Sequence, residues 1–107
     1  MDEPGTYRFR WSCQIVYGHY ADFFEIQQRK QELAATKGWR GSSLWVATSG
    51  NLNDFFEERD YDTYEALAHD LSVREGDYDY MRLMRSSYKL LVQGSVRTEF
   101  FRTATPV

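Results

Sequence analysis

The chain has 107 residues with 13 Lys and Arg against 16 Asp and Glu, a formal net charge of −3, and this acidic balance excludes the basic face that a nucleic-acid partner requires. Hydrophobic residues make up 42% and aromatics 17%, which is enough for one packed core in a chain of one-domain size and too much for a disordered one. Cys13 is the single cysteine, so an internal disulfide is excluded, and no C-x-x-C or paired Cys/His spacing marks a metal site.

Thr6 to Tyr17 alternates, with Tyr7, Phe9, Trp11, Cys13, Ile15 and Tyr17 on one side and Arg8, Arg10, Ser12, Gln14 and Val16 on the other, and reads as a strand with one buried face. After Gly18-His19, the residues Phe23, Ile26, Gln27, Lys30, Leu33, Ala34 and Lys37 recur at helical spacing. Gly38 is the expected stop of that helix.

Gly41 to Thr48 reads as a second strand and Asp54 to Tyr61 as a third, joined through Ser49, Gly50, Asn51 and Asn53 as a hairpin. In the third strand charges fall on both faces, so its register stays open. Asp62-Thr63-Tyr64-Glu65 has the form of a capping box opening a second helix. Tyr64, Leu67, Ala68 and Leu71 give that helix an inner face, Gly76 interrupts it, and Asp77 to Leu91 resumes helical spacing through Met81, Met84 and Tyr88. Ser95 to Thr103 alternates again and closes the order β-α-β-β-α-β.

This order predicts an α+β, ferredoxin-like fold, a four-stranded antiparallel sheet with helices on one face. The other face is left bare. An aromatic-rich bare sheet needs a cover, and a second copy of the chain is the simplest, so a homodimer is expected. Residues 6–103 read as one domain, 1–5 as a flexible start and 104–107 as a tail. No stretch approaches the ~20 apolar residues of a membrane span and the first residues are polar, so the expected location is cytoplasmic, with no membrane partner.

The stretch Gly50-Asn51-Leu52-Asn53-Asp54-Phe55-Phe56-Glu57, followed by Tyr61 and an acidic-capped helix, resembles the middle of NIPSNAP-like proteins of the dimeric α/β-barrel superfamily. An aromatic near the start of the broken second helix, here Tyr78 or Tyr80, and the run from Ser86 to Phe101 extend the resemblance over nearly the whole domain. One departure is clear. Such chains open with an acidic and a basic residue two apart and a Pro-Gly before the helix; here Phe9 and Trp11 stand in the charged register and Tyr17-Gly18 replaces Pro-Gly. The family's charges on the first strand therefore do not carry over. The superfamily includes cofactor-free monooxygenases, cyclases, isomerases and haem enzymes, so the fold alone does not choose an activity.

Among candidate catalytic residues, His19 stands at a strand-to-helix junction, where an imidazole can act as acid or base, against the plainer reading of a surface residue. His69 reads as solvated. Arg10, with Arg8, projects opposite the first strand's aromatics, and with the charges of a neighbouring strand, Glu57, Glu58 and Arg59, either orients a polar or anionic ligand or forms salt-bridge ladders that set register, the preferred reading. Trp11, Trp45, Phe55, Phe56, Tyr78 and Tyr80 either wall a cavity for a planar ligand or fill the core. The residues expected to touch a ligand are Trp11, Trp45, Phe56, Tyr80 and Glu57. Cys13 is expected to be buried and inert.

No nucleotide, phosphate, serine-hydrolase or zinc-protease motif is present, so no cofactor is expected. The leading reading is a homodimer binding a small hydrophobic or aromatic molecule, of the type that in this superfamily performs cofactor-independent oxygenation, cyclisation or isomerisation. The alternative is a non-catalytic dimerisation or protein-interaction module.

Overall fold

The computed structural model describes residues 6–104. The expectations for residues 1–5 and for the last three residues of the tail lie outside the described residues.

Seven elements follow in order: β1 (Tyr7–Gln14), α1 (Tyr20–Lys37), β2 (Ser43–Val46), β3 (Asp54–Tyr61), α2 (Tyr64–Glu75), α3 (Tyr78–Tyr88) and β4 (Arg97–Arg102). All strand pairs are antiparallel and the sheet order is β2-β3-β1-β4. This is the ferredoxin-like arrangement that the order of the elements predicts, with the second helix broken in two.

Alternation along β1 sends Phe9, Trp11 and Cys13 into the core. In the register of β3, Phe9 faces Arg59, Trp11 faces Glu57 and Cys13 faces Phe55. Opposed residues share a face of the sheet, so Glu57 and Arg59 turn inward with the aromatics, while Phe56, Glu58 and Asp60 join Arg8 and Arg10 on the bare face. That settles the register left open by the sequence. The strand β1 is shorter than its alternation implies: Gly18 adopts φ 91° in a turn, and Tyr17, expected on the buried side, is 93% exposed.

Below the first half of α1, Phe23 meets Phe55 with ring centroids 4.8 Å apart at 77°, and Trp11 adds a third ring 6.3 Å from Phe55. Such edge-to-face contacts add to the burial term. Leu67 of α2 together with Leu90 and Leu91 completes this apolar core. The end of β1 is tied down by Ile15, which bridges to Leu91 and whose N–H donates to the Asn53 carbonyl at 2.9 Å.

Helix α1 ends in a Schellman motif, Gly38 (φ 73°) donating to the Ala35 carbonyl and Trp39 to Ala34. The expected capping box does not form, because the residue three positions after the observed cap is Ala66. Thr63, not Asp62, caps α2, its hydroxyl accepting from the Ala66 N–H at 3.1 Å, because Thr63 is the residue with extended φ/ψ directly before the first helical turn. Tyr64 and Ala68, expected on the inner face, are exposed. The break before α3 lies at Asp77: Gly76 keeps helical dihedrals, whereas Asp77 is extended and caps α3 by accepting from the Tyr80 N–H at 2.9 Å. No helix among the described residues is long and apolar enough to cross a membrane.

Candidate functional site

The layer between sheet and helices is apolar at one end and ionic at the other. The helical stripe that begins with Phe23 continues through Gln27, Lys30 and Ala34, all buried. Lys30 Nζ donates to Gln27 Oε1 at 3.1 Å and to Glu57 Oε1 at 2.9 Å. Glu57 Oε2 receives Arg59 Nη1 at 2.7 Å and the Ser42 hydroxyl at 2.7 Å. Arg59 Nε donates to the Tyr61 hydroxyl at 2.9 Å, and Tyr61 in turn donates to Asp70, which also accepts Arg74 Nε at 3.0 Å. One chain of bonds thus links α1, β3 and α2.

Aromatic rings wall this cluster. Lys30 Nζ lies 5.0 Å from the Trp11 ring centroid and 5.6 Å from that of Tyr80, Arg59 lies 4.3 Å from Phe9, and Arg74 lies 5.3 Å from Trp39. Cations over ring faces gain most where water is excluded, which describes this layer. Burial by itself would raise the Glu57 carboxyl, but Lys30 and Arg59 outweigh it and hold the group down at about 2. Burial, assisted by the bond to Asp70, pushes the Tyr61 hydroxyl up to about 12 against the opposing pull of Arg59. Glu57 therefore stays ionised with both oxygens engaged, and Tyr61 stays neutral with its proton committed. Neither is poised to move a proton.

The bare face is built differently. Arg8 forms a two-pronged pair with Asp60, Nε to Oδ1 at 2.7 Å and Nη2 to Oδ2 at 3.0 Å. That bond holds the Asp60 carboxyl below its usual range. Arg10 donates to Glu58 at 2.6 Å and lies between two rings, 4.6 Å from Phe101 and 5.9 Å from Phe56. A cleft of about 600 Å³ brings together Arg10, Ser12, Gln14, Asp54, Phe56 and Arg97. A second, of about 360 Å³, lies between Arg8, Arg10, Asp60 and Phe101.

The residues singled out from the sequence fall into three places. Trp11, Glu57 and Tyr80 converge around Lys30 inside the layer. Arg10 and Phe56 meet on the bare face, with Trp45 opposite Phe56 across β2 and 58% exposed. His19 is exposed at the start of α1 and caps nothing with its side chain. The first two groups lie on opposite faces of the sheet and cannot share one small ligand. Lys30, Ser42, Asp70 and Arg74 were not expected at a site. Their signal was a polar Gln27 and Lys30 inside an otherwise apolar helical stripe. Tyr78 is exposed, and Cys13 is buried, its thiol pushed by that burial up to about 12. Among the described residues no group of three His, Cys, Asp or Glu could hold a metal ion.

No family model matches the chain. No curated protein matches it in sequence either. Solved structures do match in shape. A NIPSNAP family protein from Agrobacterium tumefaciens superposes with a TM-score of 0.73 at 12% identity, covering 97% of this chain and 90% of the other. An uncharacterised NIPSNAP domain protein from Burkholderia xenovorans gives 0.70 at 19% identity over 94% of each chain. The chain has the NIPSNAP fold. A mutant form of SnoaB, a cofactor-independent oxygenase from Streptomyces nogalater, gives 0.67 at 14% identity over 95% of each chain, so the same fold also spans monooxygenase-like proteins. Within this NIPSNAP-like frame, the ionic cluster occupies the layer between the helices and the sheet.

Proposed function

We propose that the chain is a homodimeric α/β-barrel protein that binds a small, partly aromatic molecule between its sheet and its helices. The observation that carries this reading is the buried ionic cluster walled by Trp11, Trp39 and Tyr80. Burying ion pairs costs stability that an apolar filling would not, and in a chain this small a binding site accounts for keeping them. The dimer is supported by the bare sheet face, where Trp45 is 58% and Phe101 40% exposed beside paired charges: apolar rings rimmed by polar groups mark an association surface. Binding is favoured over catalysis because Glu57 and Tyr61 are locked by their partners.

A second reading, a module that only dimerises, is favoured by the tight filling of the layer, where Lys30 and Glu57 are each 4% exposed. Native mass spectrometry of freshly purified protein separates the two. A dimer carrying extra mass supports the binding reading, a dimer of bare mass moves the conclusion to the module, and a monomer at micromolar concentration overturns both.

A further inference from the structure

We propose that the ligand is a carboxylate, received by Arg59 and Arg40 beneath the strap formed by Trp39–Ser42; this rests on the binding reading above and names the class of molecule bound. Two buried side-chain atoms among the described residues lack a hydrogen-bond partner, Gln27 Nε2 and Arg59 Nη2. Both are N–H donors. The Gln27 amide cannot be turned round to relieve this, because its oxygen receives the Lys30 ammonium, which only donates. Both atoms belong to residues bonded directly to the Lys30–Glu57 pair. The surroundings therefore want an acceptor.

Charge makes that acceptor an anion. The cluster holds three basic side chains, Lys30, Arg59 and Arg74, against two acidic ones, Glu57 and Asp70. With Nε donating to Tyr61 and Nη1 to Glu57 and Ser42, the buried Arg59 guanidinium keeps Nη2 free to make a charge-assisted bond to one carboxylate oxygen. Next to it, Arg40 is exposed, lies 5.1 Å from the Tyr61 ring centroid, and forms no ion pair among the described residues. Arg40 and Arg59 line one cleft of about 260 Å³ together with Ser43 and Trp45. Glu58 and Asp60 border the same cleft, but they are engaged by Arg10 and Arg8.

The strap supplies the way in. Residues 39–42 have no regular structure; Trp39 is fixed by its backbone bond to Ala34, and beyond it the strap is held by bonds from side chains: Arg74 to the Arg40 carbonyl, Gln31 Nε2 to the Ser42 carbonyl at 2.6 Å, the Ser42 N–H to Gln31 Oε1 at 3.0 Å, and the Ser42 hydroxyl to Glu57. These can part without breaking a rung of the sheet.

The test is titration calorimetry of the full chain with sodium benzoate and with benzamide, its neutral isostere, at constant ionic strength. Saturable benzoate binding at least tenfold tighter than benzamide is expected. Arg40→Ala, at an exposed position that leaves folding intact, should weaken benzoate at least fivefold, and Arg59→Lys, checked for folding by circular dichroism, should weaken it further. Equal binding of benzamide would overturn the carboxylate inference and leave the small-molecule reading standing. Binding of neither probe overturns the carboxylate inference and counts against the binding reading as well. Benzoate binding unchanged in Arg40→Ala places the anion elsewhere and overturns the assignment.

Discussion

Lys30 and Glu57 meet at 2.9 Å, each only 4% exposed, one from the middle of α1 and the other from the centre of β3. Their pairing joins helix to sheet where the apolar core gives out. Removing one partner of a buried pair strands the other, at a cost of about 3–5 kcal/mol. Lys30→Met and Glu57→Gln should each lower stability by that order, and the double variant by less than the sum, with a coupling of roughly 1–3 kcal/mol in a denaturation cycle. Strict additivity would show that Arg59 and Ser42 alone hold Glu57.

Acid should unfold the protein through the same carboxylate. Glu57 is lowered from its ordinary 4.5 to about 2 in the fold, so its stabilisation is complete above pH 4.5 and is lost as the pH falls from there towards 2, on the order of 3 kcal/mol in all. Denaturant midpoints measured from pH 6 to 2.5 should fall steeply below 4.5, and Glu57→Gln should flatten that limb. The exposed Asp60, also lowered by its bond from Arg8, leaves a residual slope in the variant.

On the bare face, Phe101 lies under the Arg10 guanidinium, which also pairs with Glu58. Phe101→Glu would place an acid opposite Arg8 on this face and remove an exposed ring. Sedimentation velocity should then report a monomer at concentrations where the parent chain is dimeric, with an unchanged far-ultraviolet spectrum. A variant that stays dimeric would move the subunit contact away from this face.

Gly38 closes α1 at φ 73° with open space around its Cα. Gly38→Ala should therefore lower stability by ~1 kcal/mol through backbone conformation alone, since no atom stands in the way of a methyl group. A thermal melt checks this, and a cost several times larger would mean that the turn into Trp39 had been remodelled.

Cys13, 3% exposed, has its thiol pushed by burial up to about 12. A thiol reagent at pH 8 should leave the native protein unlabelled and modify it only as fast as it unfolds. Rapid labelling of the native protein would reveal frequent opening of the layer between sheet and helices.

The fold was legible because β1, the hairpin and the second, broken helix announce themselves through period and punctuation; β3 was read with its observed ends, Asp54 and Tyr61. Its inner face was not legible. The rule that charges point to water fails at Glu57 and Arg59, since the groups that make their burial tolerable come from Lys30 and from Asp70, which reach them only after folding. The aromatic expectation suffered from the same blindness: Trp11 and Phe56 lie on neighbouring strands and turn to opposite faces, a distinction set by pairing register.

The sheet places β1 between β3 and β4, so Phe9 pairs with Phe100 across roughly ninety positions of sequence, a separation that makes the contact slow to form. On the ribosome, β1, α1, β2 and β3 emerge well before their last neighbour does. Until β4 arrives, one edge of β1 offers unpaired N–H and C=O groups to any passing strand. The nascent chain thus spends the longest part of its synthesis with one edge of an aromatic-rich strand unprotected, and its yield in a cell should depend on chaperone capture more than its final stability would indicate.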